Sequence, residues 1–322
     1  MPSLGASCCA GSWSADPLVQ ERRSDNPIDR PIHRPVDRPE VAAVPLEVGP
    51  DPAPDPAPDP GLVAALRSAG CVFAEEEALL LSAAAADSDQ LALMLARRVT
   101  GEPLEQVVGC AEFCGIRLDI EPGVFVPRRR TERLVETARS VLFGLERPAV
   151  VVDLCCGTGA IGVAVVEGVP GVELHAADID PVAVACARRN VTMGHVHRGD
   201  LYDALPADLR GRVHLLLVNA PYVPTAEIEL MPREARLHER QVALDGGADG
   251  LGVHRRVAVG APEWLAEGGT LLMETSRHQA SRTATCCSEA GLHAQVLGPD
   301  EQGAVVVRAI SGQRPSSGRM AR

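Results

Sequence analysis

The sequence has 322 residues, of which 46% are hydrophobic and only 2% aromatic, and its formal net charge is −12. This length can bury a full core, which must be built from Leu, Val and Ala. The acidic balance argues against a non-specific nucleic-acid binder, because cationic contacts to phosphate supply most of that affinity. The chain shows neither an apolar run of the roughly 20 residues that a membrane span needs nor a signal peptide. We therefore expect a cytoplasmic protein without membrane contact.

The first sixty residues are rich in proline, which removes backbone donors and favours extended chain. In Asp51–Pro60 every second residue is proline. We predict a disordered tail over 1–60, and a second one over the polar, Arg-bearing stretch 311–322. The ten cysteines include no CxxC pair and no partner set with zinc spacing, so we expect reduced thiols and no metal.

Residues 61–109 predict a small helical domain. Its helices are expected at Leu62–Ala69, at Glu75–Ala86 and after a cap at Asp87 or Ser88. About fifty residues are marginal as a free domain, so we expect this unit to dock on the C-terminal part of the chain.

Residues 110–127 alternate apolar and polar side chains, which predicts a β-hairpin linker. The run Arg128–Glu132 then opens a helix that reaches about residue 142. Basic residues at a helix start oppose the helix dipole, which favours a functional reason for them, such as contact with an anion.

From residue 148 onwards the pattern alternates between strand and helix. Strands are predicted at 150–154, 172–177, 194–198, 213–218, 270–274, 292–298 and 303–309, and helices at 160–168, 181–191, 249–266 and 278–290. This order predicts an α/β fold over 128–310, a doubly wound, mostly parallel seven-stranded sheet with helices on both faces.

Ligands of such sheets bind at the carboxyl ends of the strands. The first strand leads into the glycine loop Cys155–Gly159, which is neither GxGxxG nor a P-loop but lets a ligand approach backbone atoms. Asp178, about twenty residues on, can accept both ribose hydroxyls of an adenosine. Asp200 either accepts from an adenine amino group or caps a loop, and Leu201 would border the adenine.

The tetrapeptide Asn219–Tyr222 follows a strand of apolar residues. The Asn219 side chain and the Ala220 backbone each offer a carbonyl acceptor, which together can hold the two hydrogens of a planar NH2 group. Pro221 stiffens the turn and Tyr222 supplies an aromatic wall. The alternative is an ordinary turn with an Asx cap.

These motifs resemble those of class I S-adenosylmethionine methyltransferases. Over about 61–310 the chain is similar to the HemK-like protein-(glutamine-N5) methyltransferases, which modify the Gly-Gly-Gln loop of peptide chain release factors. The resemblance rests on the glycine loop and the tetrapeptide, and on Phe113–Gly115, Pro122-Gly123, Val126–Glu132, Ala177–Ile179, Gly199–Leu201 and Ala243–Leu251.

The resemblance implies transfer of a methyl group from S-adenosylmethionine to a glutamine side-chain amide, above all in a release factor that the helical domain recognises. It implies a substrate site at Asn219, Ala220, Pro221 and Tyr222. Together with the strand-end argument, it implies cofactor contacts at Asp153, Cys155, Cys156, Gly157, Thr158, Gly159, Asp178, Asp200, Leu201 and Asn219. No metal is implied, and the expected oligomeric state is a monomer.

The chain departs from the family pattern at several of these positions. Ala220 stands where Pro is typical, Cys155 and Cys156 where small residues with one more Gly are expected, and Arg129 and Arg130 where Pro and Glu are typical. Glu274-Thr-Ser276 replaces Glu-Ile-Gly, and the helical domain is shorter than usual. A divergent paralogue of the release-factor enzyme fits all of these departures.

Two alternatives belong to other functional classes. A nucleic-acid methyltransferase acting on adenine N6 or guanine N2 uses a similar motif, and the run Arg128–Arg130 supports it, whereas the net charge and the few aromatics count against it. The other alternative is a non-catalytic binding protein whose altered loop no longer holds S-adenosylmethionine.

Overall fold

The first helix begins inside the proline-rich stretch. The computed structural model describes residues 57–300 and 303–312, so most of both predicted tails lies outside it. Pro60, which we assigned to the tail, is the first residue of α1 (Pro60–Ser68), and the Asp59 carboxylate accepts a hydrogen bond of 2.9 Å from the Leu62 amide. An Asp-Pro step suits an N-cap followed by the first helical residue as well as it suits extended chain, which is why composition alone placed the boundary one residue late.

Three more helices complete the helical unit: α2 (Ala74–Ala84), α3 (Ser88–Val99), which Asp87 caps, and α4 (Leu104–Val108), which the sequence pattern missed. An ion pair of 2.7 Å joins Arg98 on α3 to Glu77 on α2, with both side chains largely buried. The buried Gln106 of α4 ties the unit to the following segment, because its side-chain amide donates to the Val124 carbonyl and accepts from the Gly123 amide.

The linker is a short antiparallel hairpin of β1 (Cys110–Phe113) and β2 (Ile116–Asp119). After it, Arg129–Thr131 form a 3-10 turn and α5 runs over Glu132–Phe143. The α-helix thus begins four residues later than the Arg run predicted. The Arg run therefore lies in and just before the 3-10 turn, and the first turn of α5 contains Glu132 and Arg133.

The remaining strands form one sheet of seven, as predicted. They are β3 (Ala149–Leu154), β4 (Val172–Asp178), β5 (His195–Arg198), β6 (Val213–Val218), β7 (Leu265–Thr275), β8 (Leu292–Leu297) and β9 (Val305–Ser311). The order across the sheet is β5-β4-β3-β6-β7-β9-β8, and only the β7–β9 and β9–β8 pairs are antiparallel. This confirms the mostly parallel α/β sheet. The strand β9 extends through Ser311, which we had placed in the tail.

Helices cover both faces of the sheet. They are α5, α6 (Ala160–Val166), α7 (Pro181–Asn190), α9 (Gly252–Trp264) and α10 (Ala280–Glu289). Alternate residues of β3 enter different cores: Val150 and Val152 pack into one cluster, and Ala149 and Val151 into the other. A strand buried on both faces reads as a continuous apolar run, as in parallel sheets generally.

The segment between β6 and α9 was not predicted to contain helices. It holds 3-10 turns at Thr225–Leu230 and Gln241–Ala243 and the short helix α8 (Arg233–His238). The helix that we predict from residue 249 begins at Gly252 in the structure. Among the described residues, no helix combines the length and the apolar character that crossing a membrane requires.

Candidate functional site

The carboxyl ends of the central strands lie at one level. Leu154, the last residue of β3, pairs in register with Ala177 of β4 and Val218 of β6, and Val218 pairs with Met273 of β7. The next residues along the chain are Cys155, Asp178, Asn219 and Glu274. The strand order turns in opposite directions on the two sides of β3, which is where sheets of this kind bind ligands.

The glycine loop is anchored to the second strand by the Asp178 carboxylate. One carboxylate oxygen accepts from the Gly157 amide and the other from the Asp180 amide, both at 2.9 Å. Burial raises the pKa of Asp178, while these amides act in the opposite direction. Asp180 caps α7 by accepting from Val182, so capping does not occupy Asp178.

Two adjoining cavities open along these strand ends, and they share Cys155 and Pro221. The first, which we call the acceptor cavity, is bordered by the loop, by the tetrapeptide and by side chains that precede α5. Its main lining residues are Phe125, Pro127, Arg130, Thr131, Cys155, Cys156, Gly157, Thr158, Asn219, Ala220, Pro221, Tyr222 and Met231. The second, the nucleoside cavity, includes Asp178, Ile179, Asp200, Leu201, Val242, Val253 and Arg256.

Two residues of the nucleoside cavity have a left-handed backbone although neither is glycine. Cys155 has φ +57° and Leu201 has φ +50°. Such conformations cost about 1–2 kcal/mol for residues with a side chain and concentrate at functional sites. A glycine would adopt the φ of Cys155 without this strain.

Three of the predicted cofactor residues have surroundings that the sequence did not reveal. Asp153 lines neither cavity: it is fully buried, accepts a 2.9 Å hydrogen bond from the Gly162 amide, and its pKa rises to about 7 through burial. Its Oδ1 has no partner among the described residues. Asp200 does line the nucleoside cavity, but one of its oxygens pairs with Arg256 at 2.8 Å. Gly159 lines neither cavity and opens α6 with φ +79°.

The tetrapeptide is held by residues that the sequence analysis did not assign to the site. Asn219 Nδ2 lies 3.5 Å from the Thr131 hydroxyl oxygen, and the buried Glu274 carboxylate pairs with Arg130. The Tyr222 hydroxyl accepts from Arg130 at 2.6 Å, and the Tyr222 carbonyl accepts from the Gln279 amide at 2.8 Å. These partners lie just before α5, on β7 and at the start of α10, so no local pattern could identify them.

The glycine-rich segment Ala243–Leu251 packs directly against the tetrapeptide. The Val223 amide donates to the Leu244 carbonyl and the Gly246 amide donates to the Val223 carbonyl. Gly250, at φ +72°, lies where a Cβ would overlap the Tyr222 carbonyl oxygen and the Gln279 side-chain amide. Only glycine permits this approach, and a conspicuous Gly-Gly-Ala-Asp-Gly run is the signal that could have revealed it.

The described residues hold no group of three or more His, Cys, Asp or Glu side chains arranged to bind a metal ion.

Comparisons with known proteins identify the family. Residues 117–294 match the family described as "Methyltransferase small domain". The release factor glutamine methyltransferase of Geobacter sulfurreducens is 37% identical over 202 residues, which cover 60% of this chain and 70% of that protein. The enzyme of the same name from Bradyrhizobium diazoefficiens is 34% identical over 254 residues, 72% of this chain and 85% of that protein.

The chain belongs to the release factor glutamine methyltransferase family. A solved structure of a release factor-specific protein-(glutamine-N5) methyltransferase from Alicyclobacillus acidocaldarius covers 60% of this chain and 99% of its own, with 25% identity and a TM-score of 0.38. A different relative, the 4-amino-L-phenylalanine/4-methylamino-L-phenylalanine methyltransferase of Streptomyces pristinaespiralis, is 39% identical over 189 residues, 57% of this chain and 64% of that protein.

The departures from the family pattern cluster around the acceptor cavity. Ala220 is buried and, like Pro, carries a backbone carbonyl. Arg130, where Glu is typical, contacts Tyr222 and Glu274 across the cavity mouth. The family fold therefore carries an altered set of charges at its acceptor side.

We expect Gly250→Ala to disrupt the site, because its methyl group would push the Tyr222 carbonyl and Gln279 apart. The free energy of unfolding in urea should fall by about 2–4 kcal/mol, as for overpacked cores with added backbone strain. Gly268→Ala is the matched control: its φ is +70° and no atom lies within 4 Å of the added Cβ, so only about 1 kcal/mol should be lost. Equal losses in both variants would show that the close approach of Gly250 to Tyr222 and Gln279 adds nothing to the cost.

Replacing each of the two loop cysteines by glycine should change the free energy of unfolding in opposite directions. Cys155→Gly removes the left-handed strain and should raise the free energy of unfolding by about 1 kcal/mol. Cys156 is buried, and its φ is not positive, so Cys156→Gly should lower it by about 1–2 kcal/mol through lost packing and added chain entropy. Chemical denaturation of both variants measures this, and a loss of stability in Cys155→Gly would rule out strain at that residue.

Proposed function

We propose that this protein transfers the methyl group of S-adenosylmethionine to the side-chain amide nitrogen of a glutamine, in the Gly-Gly-Gln motif of a peptide chain release factor. The observation that carries the proposal is the shared level of the glycine loop and the tetrapeptide at the ends of β3 and β6. A donor held by the loop and an NH2 group held by Asn219 would face each other there.

The residues of the nucleoside cavity fit the adenosine part of S-adenosylmethionine. Ile179 and Val242 are apolar yet 49% and 45% exposed, so they offer two apolar surfaces that a planar base could cover. Asp178 accepts only one amide at each carboxylate oxygen, so further lone pairs can take ribose hydroxyls. Asp153 and Gly159 line neither cavity, so they would support the loop from outside it, whereas Asp200 would contact the cofactor through the carboxylate oxygen that Arg256 leaves free.

The contact with Thr131 sets which end of the Asn219 amide faces the acceptor. The Asn219 amide nitrogen can only donate, so the Thr131 hydroxyl oxygen accepts from Nδ2. Asn219 Oδ1 is then left for the cavity. That oxygen and the Ala220 carbonyl would hold the two N–H bonds of the incoming amide.

Catalysis on this proposal is chiefly positioning. S-adenosylmethionine supplies an electrophilic methyl group on a sulfonium sulfur. The tetrapeptide contains no strong base, so Asn219 and Ala220 aim the nitrogen rather than deprotonate it, and the surrounding apolar wall excludes water. Arg128 and Arg130 pair with Glu239 and Glu274, so the basic run that favoured a nucleic-acid acceptor is largely neutralised.

The helical unit and the α8 segment are the proposed recognition surface for the release factor. Arg98 of α3 lies 3.5 Å from Glu234 of α8, and Gln106 of α4 contacts the His238 carbonyl. The helical unit is thus joined to the segment that contributes Met231 to the acceptor cavity. A release-factor acceptor also implies a cytoplasmic enzyme, and we retain the monomer as the proposed state.

A second candidate acceptor is an aromatic amine. It is favoured by the 39% identity to the 4-amino-L-phenylalanine/4-methylamino-L-phenylalanine methyltransferase. An arylamine presents the same planar NH2 group to Asn219 and Ala220, so the tetrapeptide alone does not discriminate between the two.

The test is to incubate the full chain and isotopically labelled S-adenosylmethionine with one candidate acceptor at a time. The acceptors are a release factor, the same factor with Gln→Asn in its Gly-Gly-Gln motif, 4-aminophenylalanine, and DNA or RNA. Mass spectrometry should find one added methyl on the glutamine peptide alone. Methylation of the arylamine or of nucleic acid instead would replace the proposal. Calorimetry that detects no binding of S-adenosylmethionine would favour the non-catalytic alternative.

Asn219→Ala should lower kcat by about 100-fold, a loss typical of one removed transition-state contact, and affect S-adenosylmethionine binding far less. Thr131→Val keeps the shape but releases the Asn219 amide, so kcat should fall about 10-fold. Thr131→Ser, which retains the hydroxyl, is the control and should stay close to wild type. Comparable losses of turnover and cofactor affinity in Asn219→Ala would refute these roles.

A further inference from the structure

Arg130 occupies a position from which it can act on the acceptor. It lines the acceptor cavity together with Tyr222, and its side chain is 48% exposed. Its Nη2 donates to the Tyr222 hydroxyl at 2.6 Å and its Nε lies 3.4 Å from Glu274. Among the described residues, Nη1 has no hydrogen-bond partner, so part of the guanidinium stays available.

The Arg130 contact sets the polarity of the Tyr222 hydroxyl. A guanidinium has donors and no acceptor, so the hydroxyl oxygen must accept from it and the O–H proton points elsewhere. Burial raises the pKa of Tyr222, and the Glu274 charge acts in the same direction, so the phenol keeps this proton. The tyrosine wall therefore offers a ligand two kinds of donor, the Tyr222 O–H and the free N–H bonds of Arg130.

The opposite polarity marks the other side of the cavity, where Asn219 Oδ1 and the Ala220 carbonyl are acceptors. A ligand that matches both sides needs N–H bonds toward Asn219 and an oxygen lone pair toward Tyr222 and Arg130. A carboxamide has both groups on one carbon atom, whereas an arylamine has no such oxygen.

The charges near Arg130 favour a neutral oxygen over a carboxylate. The Glu274 side chain is only 3% exposed and forms the ion pair with Arg130, and the neighbouring Arg128 pairs with the fully buried Glu239 side chain. The pair contributes no net charge to attract an anion, but its N–H bonds remain donors.

We infer that Arg130 and Tyr222 form a carbonyl-oxygen subsite that reads the side-chain amide of the acceptor, with Arg130 as a specificity-determining residue of this chain. This inference rests on the proposed function, because it assigns the second polar atom of the same glutamine side chain. It adds a reason why the site would select a carboxamide over other compounds that carry a planar NH2 group.

Two peptides isolate the oxygen from the nitrogen. In one, the glutamine of a Gly-Gly-Gln peptide is replaced by 2-amino-5-oxohexanoic acid, in which CH3 replaces NH2 beside the carbonyl. In the other it is replaced by norleucine, which has the same carbon skeleton without the oxygen. Binding of each to the full chain with S-adenosylhomocysteine is measured by calorimetry, so that no turnover is needed.

The wild type should bind the ketone peptide at least about 10-fold more tightly than the norleucine peptide, as expected for a hydrogen bond to a charged donor. In Arg130→Met the two peptides should bind with nearly equal affinity. Tyr222→Phe should also reduce the ratio, and it serves as the test if Arg130→Met does not fold. Arg129→Met removes a neighbouring charge that the subsite does not use, and should preserve the ratio. Arg130→Lys should restore part of it.

A ratio near one in the wild type, or a ratio that survives both Arg130→Met and Tyr222→Phe, would overturn the inference. Methylation of glutamine by the wild type, measured in parallel, separates this failure from failure of the proposed function. If the wild type methylates no glutamine and binds neither peptide, the proposed function and the subsite fail together.

Discussion

The parallel register of the central strands is the constraint on which the rest of the site depends. Leu154 pairs with Ala177 and Val218, so the chain leaves β3, β4 and β6 at one level. This shared level places the glycine loop, the Asp178 carboxylate and the turn that begins at Asn219 next to one another. Because backbone hydrogen bonds fix the register, side chains that are more than sixty residues apart in sequence become neighbours with little freedom to separate.

Around this frame, the chain stabilises its tetrapeptide from every side. The Gln279 amide holds the Tyr222 carbonyl, the glycine-rich segment pairs with Val223, and Thr131 and Arg130 contact the two polar side chains. The close approach of Gly250 is part of the same arrangement. A turn that is clamped at its backbone can present Asn219 at a defined height, which a reaction that relies on positioning requires.

The departures from the family pattern fall into two physical classes. Cys155 strains its backbone in a left-handed conformation. Arg130 instead alters the chemistry of the cavity mouth, because it brings a donor to Tyr222 and pairs with a buried carboxylate. The first class bears on stability, and the second changes the polar groups that line the acceptor cavity.

The sequence by itself determined the alternating strand and helix order, the seven-stranded sheet, and the loop and tetrapeptide at its edge, because apolar periodicity and turn residues are local signals. It did not reveal α4, the elements between β6 and α9, or the start of α5. Nor did it show that Asp153 lies beneath the loop, that Arg256 occupies one oxygen of Asp200, or that Thr131, Glu274 and Gln279 support the tetrapeptide. Only the tertiary structure decided these points, because each depends on contacts between elements far apart along the chain, which no window of sequence contains.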